Sequence, residues 1–348
     1  MAGNRRVTLK DIAKAAGVHT STVSRALDPN STTSLTEEVA GRIRHLAKEM
    51  GYRPNRMAAG LRTNRSMSVG VMIPDISNML FGPIVRGISA ALDRAGYTII
   101  IVNTDNLPKL EAQMIGVLVE RGVDGIISVA TITDGLALPD ITGRDLPFIT
   151  LNRRVETLPT PYVINDDAQG IRQILHHLKG LGHRRIAHIA GPQDTSTGIL
   201  RLDTMRDECA RLGLDFGPAS WIESTGYVEV EGKRCTHALL DAGQPFTALV
   251  CANDLLAFGA YAALRDRGLS IPGDISVTGF NDDPILELVT PPLTTVRVPK
   301  FEAGRTCGEL MLRLMKGEAP GAVGTILPVE LVVRDSTGPA PGGPGAAG

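Results

Sequence analysis

From Val7 to Met50 the apolar positions recur every three or four residues and never alternate, a pattern that predicts three short helices and no strand. Thr8-Leu9-Lys10-Asp11 reads as a helix N-cap followed by an acid three residues on, opening a helix with Leu9, Ile12, Ala13 and Ala16 on one face. Gly17 supplies the turn, "VHTSTVSRAL" the second helix, and Thr36 to Met50 a third, with Val39, Ile43, Leu46, Ala47 and Met50 inward and Gly51 as the stop. After "GYRPN" the chain becomes basic and polar, with a weak helical period broken by Gly60, which predicts a linker or a helix that forms only on demand.

The rhythm changes at Ser68. Short β-rich apolar runs ("VGVMIP", "YTIIIVNT", "GIISVA", "FITLN", "YVIND", "RIAHIAG", "ALVCAND", "ISVTGF") alternate with helical stretches such as Phe81 to Ala95 and Leu255 to Arg267. That alternation predicts parallel sheets built from βαβ units, and the number of runs favours two α/β lobes with a ligand cleft at the strands' carboxyl ends. The expected division is 1–55 for the helical module, 56–67 for the linker, 68–335 for the two-lobed body, and 336–348, rich in Gly, Pro and Ala, for a disordered tail.

Charge sharpens this division. Up to residue 65 there are 12 Lys/Arg against 5 Asp/Glu, and the remainder holds 24 against 32. A basic module on an acidic body suits a protein that meets a polyanion with one end only. Cys209, Cys235, Cys251 and Cys307 lie far apart with no C-x-x-C pair, which fits reduced, packed thiols and neither a disulfide framework nor a zinc site. The absence of a signal segment and of a long apolar run predicts a cytoplasmic protein with no membrane partner. There is no P-loop, H-E-x-x-H or G-x-S-x-G, and the G-x-G-x-x-G match "GPGAAG" follows no strand, so neither an enzyme nor a cofactor is expected. His176, His177 and His183 gather around one helix end without metal partners.

"TLKDIAKAAGVHTSTVSRAL" has the form of a helix-turn-helix: Ala13 allows close packing, Gly17 turns the chain, and Val18 and Val23 anchor the second helix. Thr20, Ser21 and Arg25 then face outward, where Arg25 could pair with a guanine edge and the hydroxyls could reach bases or phosphates. An ordinary helical hairpin with a solvated Arg25 is the competing reading.

"VTLKDIAKAAGVHTSTVSRAL", followed by "TEEV" and "GYRPNRMAAGLR", closely resembles the headpiece and hinge of the lactose-repressor (LacI/GalR) family. The resemblance implies a homodimer on a near-palindromic operator, with Thr8, Thr20, Ser21, Arg25, Ser34, Asn55, Ala58 and Leu61 at the DNA. Leu61 would be a wedge in the minor groove, or else pack on the body. "GHRRIAHIAGP", "CANDLLAFGAYAALRDRGLSIPGDISVTGF" and "PPLTTVRVP" look like the same family's periplasmic-binding-protein-like body. By that resemblance Asp75, Asn78, Phe81, Asn152, Arg153, Asp166, Arg201, Tyr227, Asn253 and Asn281 would line an effector cleft for a sugar or related metabolite.

Some positions carry a second meaning. Arg201 could instead be a surface ion-pair partner, Asn253 could hold a turn, and Asp254 is expected to cap its helix. Trp221 is expected in packing. Three departures from the family pattern bear on the ligand: Asn281 for a carboxylate, Thr204-Met205 for a glycine and an aromatic, which could reshape the pocket floor, and Val298 for a glutamine. The resulting expectation is a sequence-specific transcriptional regulator, a repressor controlled by a small molecule. The alternatives are a small-molecule-binding protein without operator specificity or an enzyme.

Overall fold

The computed structural model describes residues 7–27, 35–52, 65–129, 131, 146–155, 160–318 and 324–342. It divides into two compact units, Met1–Ser66 and Met67–Gly348.

The first unit contains α1 (Leu9–Ala16), α2 (Thr20–Ala26) and α3 (Glu37–Glu49). A capping box opens α1: Thr8 Oγ1 accepts from the Asp11 amide while the Thr8 amide donates to the Asp11 carboxylate, satisfying donors that the helix start leaves orphaned. Gly17 closes α1 at φ 65°, a conformation that carries no Cβ penalty in glycine. Ile12, Ala13, Val23, Ala26, Ala40, Ile43 and Ala47 form the core, with Leu9, Ala16, Val18, Val39 and Met50 packed around it. The helical periodicity of the sequence translates directly into this arrangement.

The second unit holds two parallel sheets. In the first lobe β1 (Ser68–Ile73), β2 (Thr98–Asn103), β3 (Ile126–Ser128), β4 (Phe148–Leu151), β5 (Tyr162–Asn165) and β11 (Gly324–Leu327) lie in the order β11-β5-β4-β3-β1-β2. Helices α4 (Phe81–Asp93), α5 (Pro108–Glu120) and α10 (Lys300–Met315) belong to this lobe, α4 packing along α10. The α4–α10 contact is close enough that a Cβ on Gly87 would collide with the Phe301 carbonyl, and one on Gly304 with the Ile84 carbonyl.

In the second lobe β6 (Ile186–Ala190), β7 (Trp221–Glu223), β8 (Ala248–Cys251) and β9 (Ser276–Thr278) lie in the order β7-β6-β8-β9. They pack with α6 (Asp167–Gly180), α7 (Ser196–Leu212), α8 (Glu229–Asp241) and α9 (Asp254–Asp266). The chain crosses between lobes after β5, between the β10 (Thr295–Arg297)–β12 (Glu330–Val332) ribbon and α10, and after β11. One apolar cluster runs through both lobes, from Val69 and Ile149 to Ile174, Met205, Val250 and Phe280. All four cysteines are free and buried. Among the described residues no helix is long and apolar enough to cross a membrane.

The expected tail from Ser336 is corrected up to residue 342. Ser336 is fully buried; its Oγ accepts from the Thr294 amide and donates to the Val277 carbonyl. His177 bonds Thr337 Oγ1 at 2.9 Å, and the His183 ring contacts the Gly338 carbonyl at 3.0 Å. The Ala340 amide donates to Leu181. A composition rich in Gly and Pro removes side-chain packing, but here the segment is held through backbone and hydroxyl hydrogen bonds that composition does not display. Residues 343–348 of the expected tail lie outside the described residues.

Candidate functional site

Two surfaces collect the predicted residues, one in each unit. On the first, α2 begins at His19, whose Nδ1 accepts from the Ser21 amide. Thr20 and Ser21 are half-buried at the start of the helix and Arg25 is exposed in its last turn, while Val23 and Ala26 face the core. Ser21 Oγ is 2.8 Å from His19 Nδ1, and Thr8 Oγ1 donates to Asp11 at 2.7 Å, so both hydroxyls already have local partners. Ser34, Asn55, Ala58 and Leu61 lie outside the described residues.

The second surface is the interlobe cleft, a cavity of about 100 Å³. Asp75, Asn78, Phe81, Asn152, Arg153, Arg201, Tyr227, Asn253 and Asn281 all line it. Asp166 does not: its side chain caps α6 by accepting from the Gln169 amide at 2.9 Å. Asn106 and Thr197 join the lining and were missed. The cue for Asn106 was "TDN" after a strand, a run of residues that tolerate left-handed backbone. Asn106, Asn152 and Asn281 stand at φ 53°, 68° and 120° around the cavity. Such clustered backbone strain is characteristic of functional sites.

Local turns hold the first-lobe rim. Asp75 Oδ1 accepts from the Ser77 amide and hydroxyl, Asn78 Oδ1 from the Leu80 amide, and Asn103 Oδ1 from the Ile76 amide. Arg153, at the end of β4, is 5% exposed; its guanidinium lies 5.6 Å from the centre of the Tyr227 ring on the opposite lobe. Burial pulls the Arg153 pKa down, against the pull of Tyr227 and Asp194. Beside it the Arg154 amide donates across the lobes to Ser196 Oγ at 3.1 Å.

Arg201, on α7, is 4% exposed and held on three sides. Nη2 donates to Asp167 Oδ1 at 2.9 Å, Nη1 donates to the Ala252 carbonyl, and the guanidinium stacks 3.8 Å from the centre of the Phe280 ring. Burial raises the Asp167 pKa while Arg201 pulls it back. The surface ion pair considered for Arg201 is thus a buried one at the cleft wall.

The helix after β8 reverses an expectation. Asn253, not Asp254, caps α9, its Oδ1 accepting from the Leu256 amide at 2.9 Å while the residue also lines the cavity. Asp254 is fully buried and accepts from Thr295 Oγ1 and the Asp283 amide. Burial, with the Asp283 carboxylate nearby, pushes its pKa up to about 8. Adjacent N-terminal positions differ by about 100° around a helix, enough to send one side chain to the cap and the next into the core. Two of the noted departures also fall away from the lining: Met205 is fully buried in the core, Thr204 bonds the Leu200 carbonyl, and Val298 packs inside. The expected reshaping of the pocket floor by Thr204 and Met205 therefore does not occur through direct contact; Asn281 alone of the three sites borders the cavity.

A two-lobed body with a polar interlobe cleft, carried on one chain with a helix-turn-helix, defines a ligand-responsive DNA-binding regulator. The model of bacterial regulatory proteins of the lacI family matches residues 8–55, and that of the periplasmic binding protein-like domain matches residues 175–337. The chain is 34% identical over 337 residues to the HTH-type transcriptional regulator DegA of Bacillus subtilis strain 168, covering 96% of this chain and 99% of DegA. It is 31% identical to the HTH-type transcriptional repressor CytR of Escherichia coli K12, covering 95% and 96%. A Lac repressor dimer bound to operator and the anti-inducer ONPF superposes with a TM-score of 0.87 at 28% identity, covering 96% of this chain and all of that one. The regulator CelR in complex with cellobiose gives 0.74 at 28%, covering 95% and 100%. The chain belongs to the lacI family of bacterial regulatory proteins and is a helix-turn-helix transcriptional regulator. These relatives are regulators, not enzymes.

Proposed function

We propose that this regulator works in the cytoplasm as a homodimer on a near-palindromic operator, and that its operator affinity is set by a small polar effector, a sugar or related metabolite, bound between the lobes. The observation that carries the reading is the convergence of Asp75, Asn78, Phe81, Asn152, Arg153, Arg201, Tyr227, Asn253 and Asn281 on one cavity. Hydroxyls need both donors and acceptors, and the amides and guanidiniums of this lining supply both, with Phe81 and Tyr227 as apolar walls. The operator-bound dimer of the Lac repressor and the cellobiose complex of CelR support each half.

In this reading Arg25, Thr20 and Ser21 meet base edges, Thr8, Ser34 and Asn55 meet the backbone, and Ala58 and Leu61 act in the minor groove. The division is 1–55 for the headpiece, 56–67 for the hinge, and a body from 68 that extends past 335 to at least 342. An effector shifts operator affinity only by binding the two lobe arrangements unequally. Selection of bound sequences from a random duplex library at fixed salt tests the first half, and recovery of a two-fold symmetric site is expected. The recovered duplex then serves as the probe for sugars that alter binding. Recovery of no preferred sequence would leave a small-molecule-binding protein whose helical module does something else.

A further inference from the structure

We propose that Asp167, which does not line the cleft, neutralises Arg201 from behind and so restricts the effector to uncharged polyhydroxylated molecules. The inference rests on the cleft being the effector site.

The geometry is one of enclosure. Asp167 is the first residue of α6, where the helix start favours a negative charge, and both it and Arg201 are almost fully buried. The ion pair, the Ala252 carbonyl and the Phe280 ring together fix the guanidinium plane and occupy Nη1 and Nη2. A carboxylate ligand seeking a two-pronged grip on Arg201 would find Asp167 already on Nη2 and the Ala252 carbonyl already on Nη1. What remains is single donors, Nε among them, which has no acceptor among the described residues. Single donors suit hydroxyl oxygens.

The charges around the cavity agree. Among the described lining residues Asp75 is the one carboxylate and Arg153 and Arg201 are the cations, while behind the wall Asp167 pairs with Arg201 and Asp194 and Glu111 act on Arg153, so neither cation faces the cavity without a carboxylate of its own. The other polar groups are the amides of Asn78, Asn106, Asn152, Asn253 and Asn281, with Thr197 and Tyr227. An acid entering this space would bring an uncompensated charge. Asp167 acts through Arg201, as a positioning and neutralising residue.

The test uses the full chain and pairs of ligands that keep the same sugar ring while one hydroxymethyl group becomes a carboxylate: glucose and glucuronate, galactose and galacturonate, cellobiose and cellobiouronate. Calorimetric titration of the unaltered protein is expected to show a neutral member binding roughly tenfold or more tighter than its acid. Asp167→Asn should narrow or invert that ratio by a similar factor, and Asp167→Glu should keep it. Asp167→Thr, which retains an acceptor without charge, replaces Asp167→Asn if that variant fails to fold. Equal or tighter binding of the acid by the unaltered protein, or an unchanged ratio in the uncharged variant, overturns the proposal.

If no pair member binds the unaltered protein, the sugar reading itself has failed, and inorganic phosphate becomes the probe of charge. Phosphate that binds only once Asp167 is uncharged, and is lost again on adding Arg201→Gln, supports the neutralising role. Phosphate that binds the unaltered cleft, or neither protein, overturns it.

Discussion

Arg25 stands exposed on a seven-residue helix whose other face is anchored by Val23 and Ala26, whereas Arg201 is 4% exposed and gripped by a carboxylate, a carbonyl and an aromatic ring. The headpiece offers side chains that can be changed without disturbing their support, because the support lies on the opposite helix face. The cleft offers side chains that are themselves part of the support. A polyanion is met with exposed, solvated groups, and a small molecule with groups that have already lost their water. An alteration at Arg25 should therefore change binding alone, and one at Arg201 should change binding and stability together.

The strongest way to break this contrast is Arg201→Ala. It strands the buried Asp167 carboxylate, so a loss of about 3–5 kcal/mol in stability is expected, together with loss of effector binding. Denaturant unfolding and calorimetry on the same sample read both quantities. A variant that keeps its stability but loses ligand would make the cleft behave like the headpiece.

Next comes the pH dependence of the body. Asp254 has its folded pKa pushed from 3.8 up to about 8, so folding takes up a proton between those values and stability falls as pH rises through them. His188 opposes this lower down: burial pulls it from 6.5 to about 4, so its contribution is lost as pH falls through that range. From pH 6.5 to 8 only the Asp254 effect remains of the two. Thermal melts should show declining stability across that window, and Asp254→Asn should flatten the slope even if the variant melts lower overall.

Arg25→Ala should weaken operator binding by about 1–3 kcal/mol and relax base choice, with effector affinity and melting temperature unchanged. Gel-shift titrations at constant salt provide the check. The smallest effect expected is for Thr8→Ala, about 1 kcal/mol from loss of the cap, seen as faster amide exchange across Leu9–Ala16.

Legibility in the sequence followed the same divide. The helices of the headpiece, the Gly17 turn and the outward Arg25 were readable because a helical period relates residues three or four apart. In the body, the alternation of strands and helices announced two parallel-sheet lobes, and the family resemblance carried nine of ten cleft positions. What escaped reading depended on distant partners. Nothing near Arg201 in sequence points to Asp167, 34 residues away, as its counter-charge. Asp166 and Asp167 are neighbours with opposite fates, one a cap and one a buried partner, as are Asn253 and Asp254. Ser336 looked like loose tail because its partners, Val277 and Thr294, lie on other elements.

The three interlobe crossings carry a consequence for how the protein is born. The first lobe is complete only when α10 and β11 arrive, and these lie beyond the whole of the second lobe in the chain. A ribosome that has delivered β1 to β5 has made a sheet whose β5 edge lacks its neighbour and whose α4 lacks its packing helix. Those surfaces, Ile84, Ile88 and Ala91 among them, stay uncovered while well over a hundred further residues are added, at about 5–20 residues per second. The nascent chain thus passes through an interval of several seconds in which its oldest half is sticky, and shielding by a chaperone during translation is most valuable there.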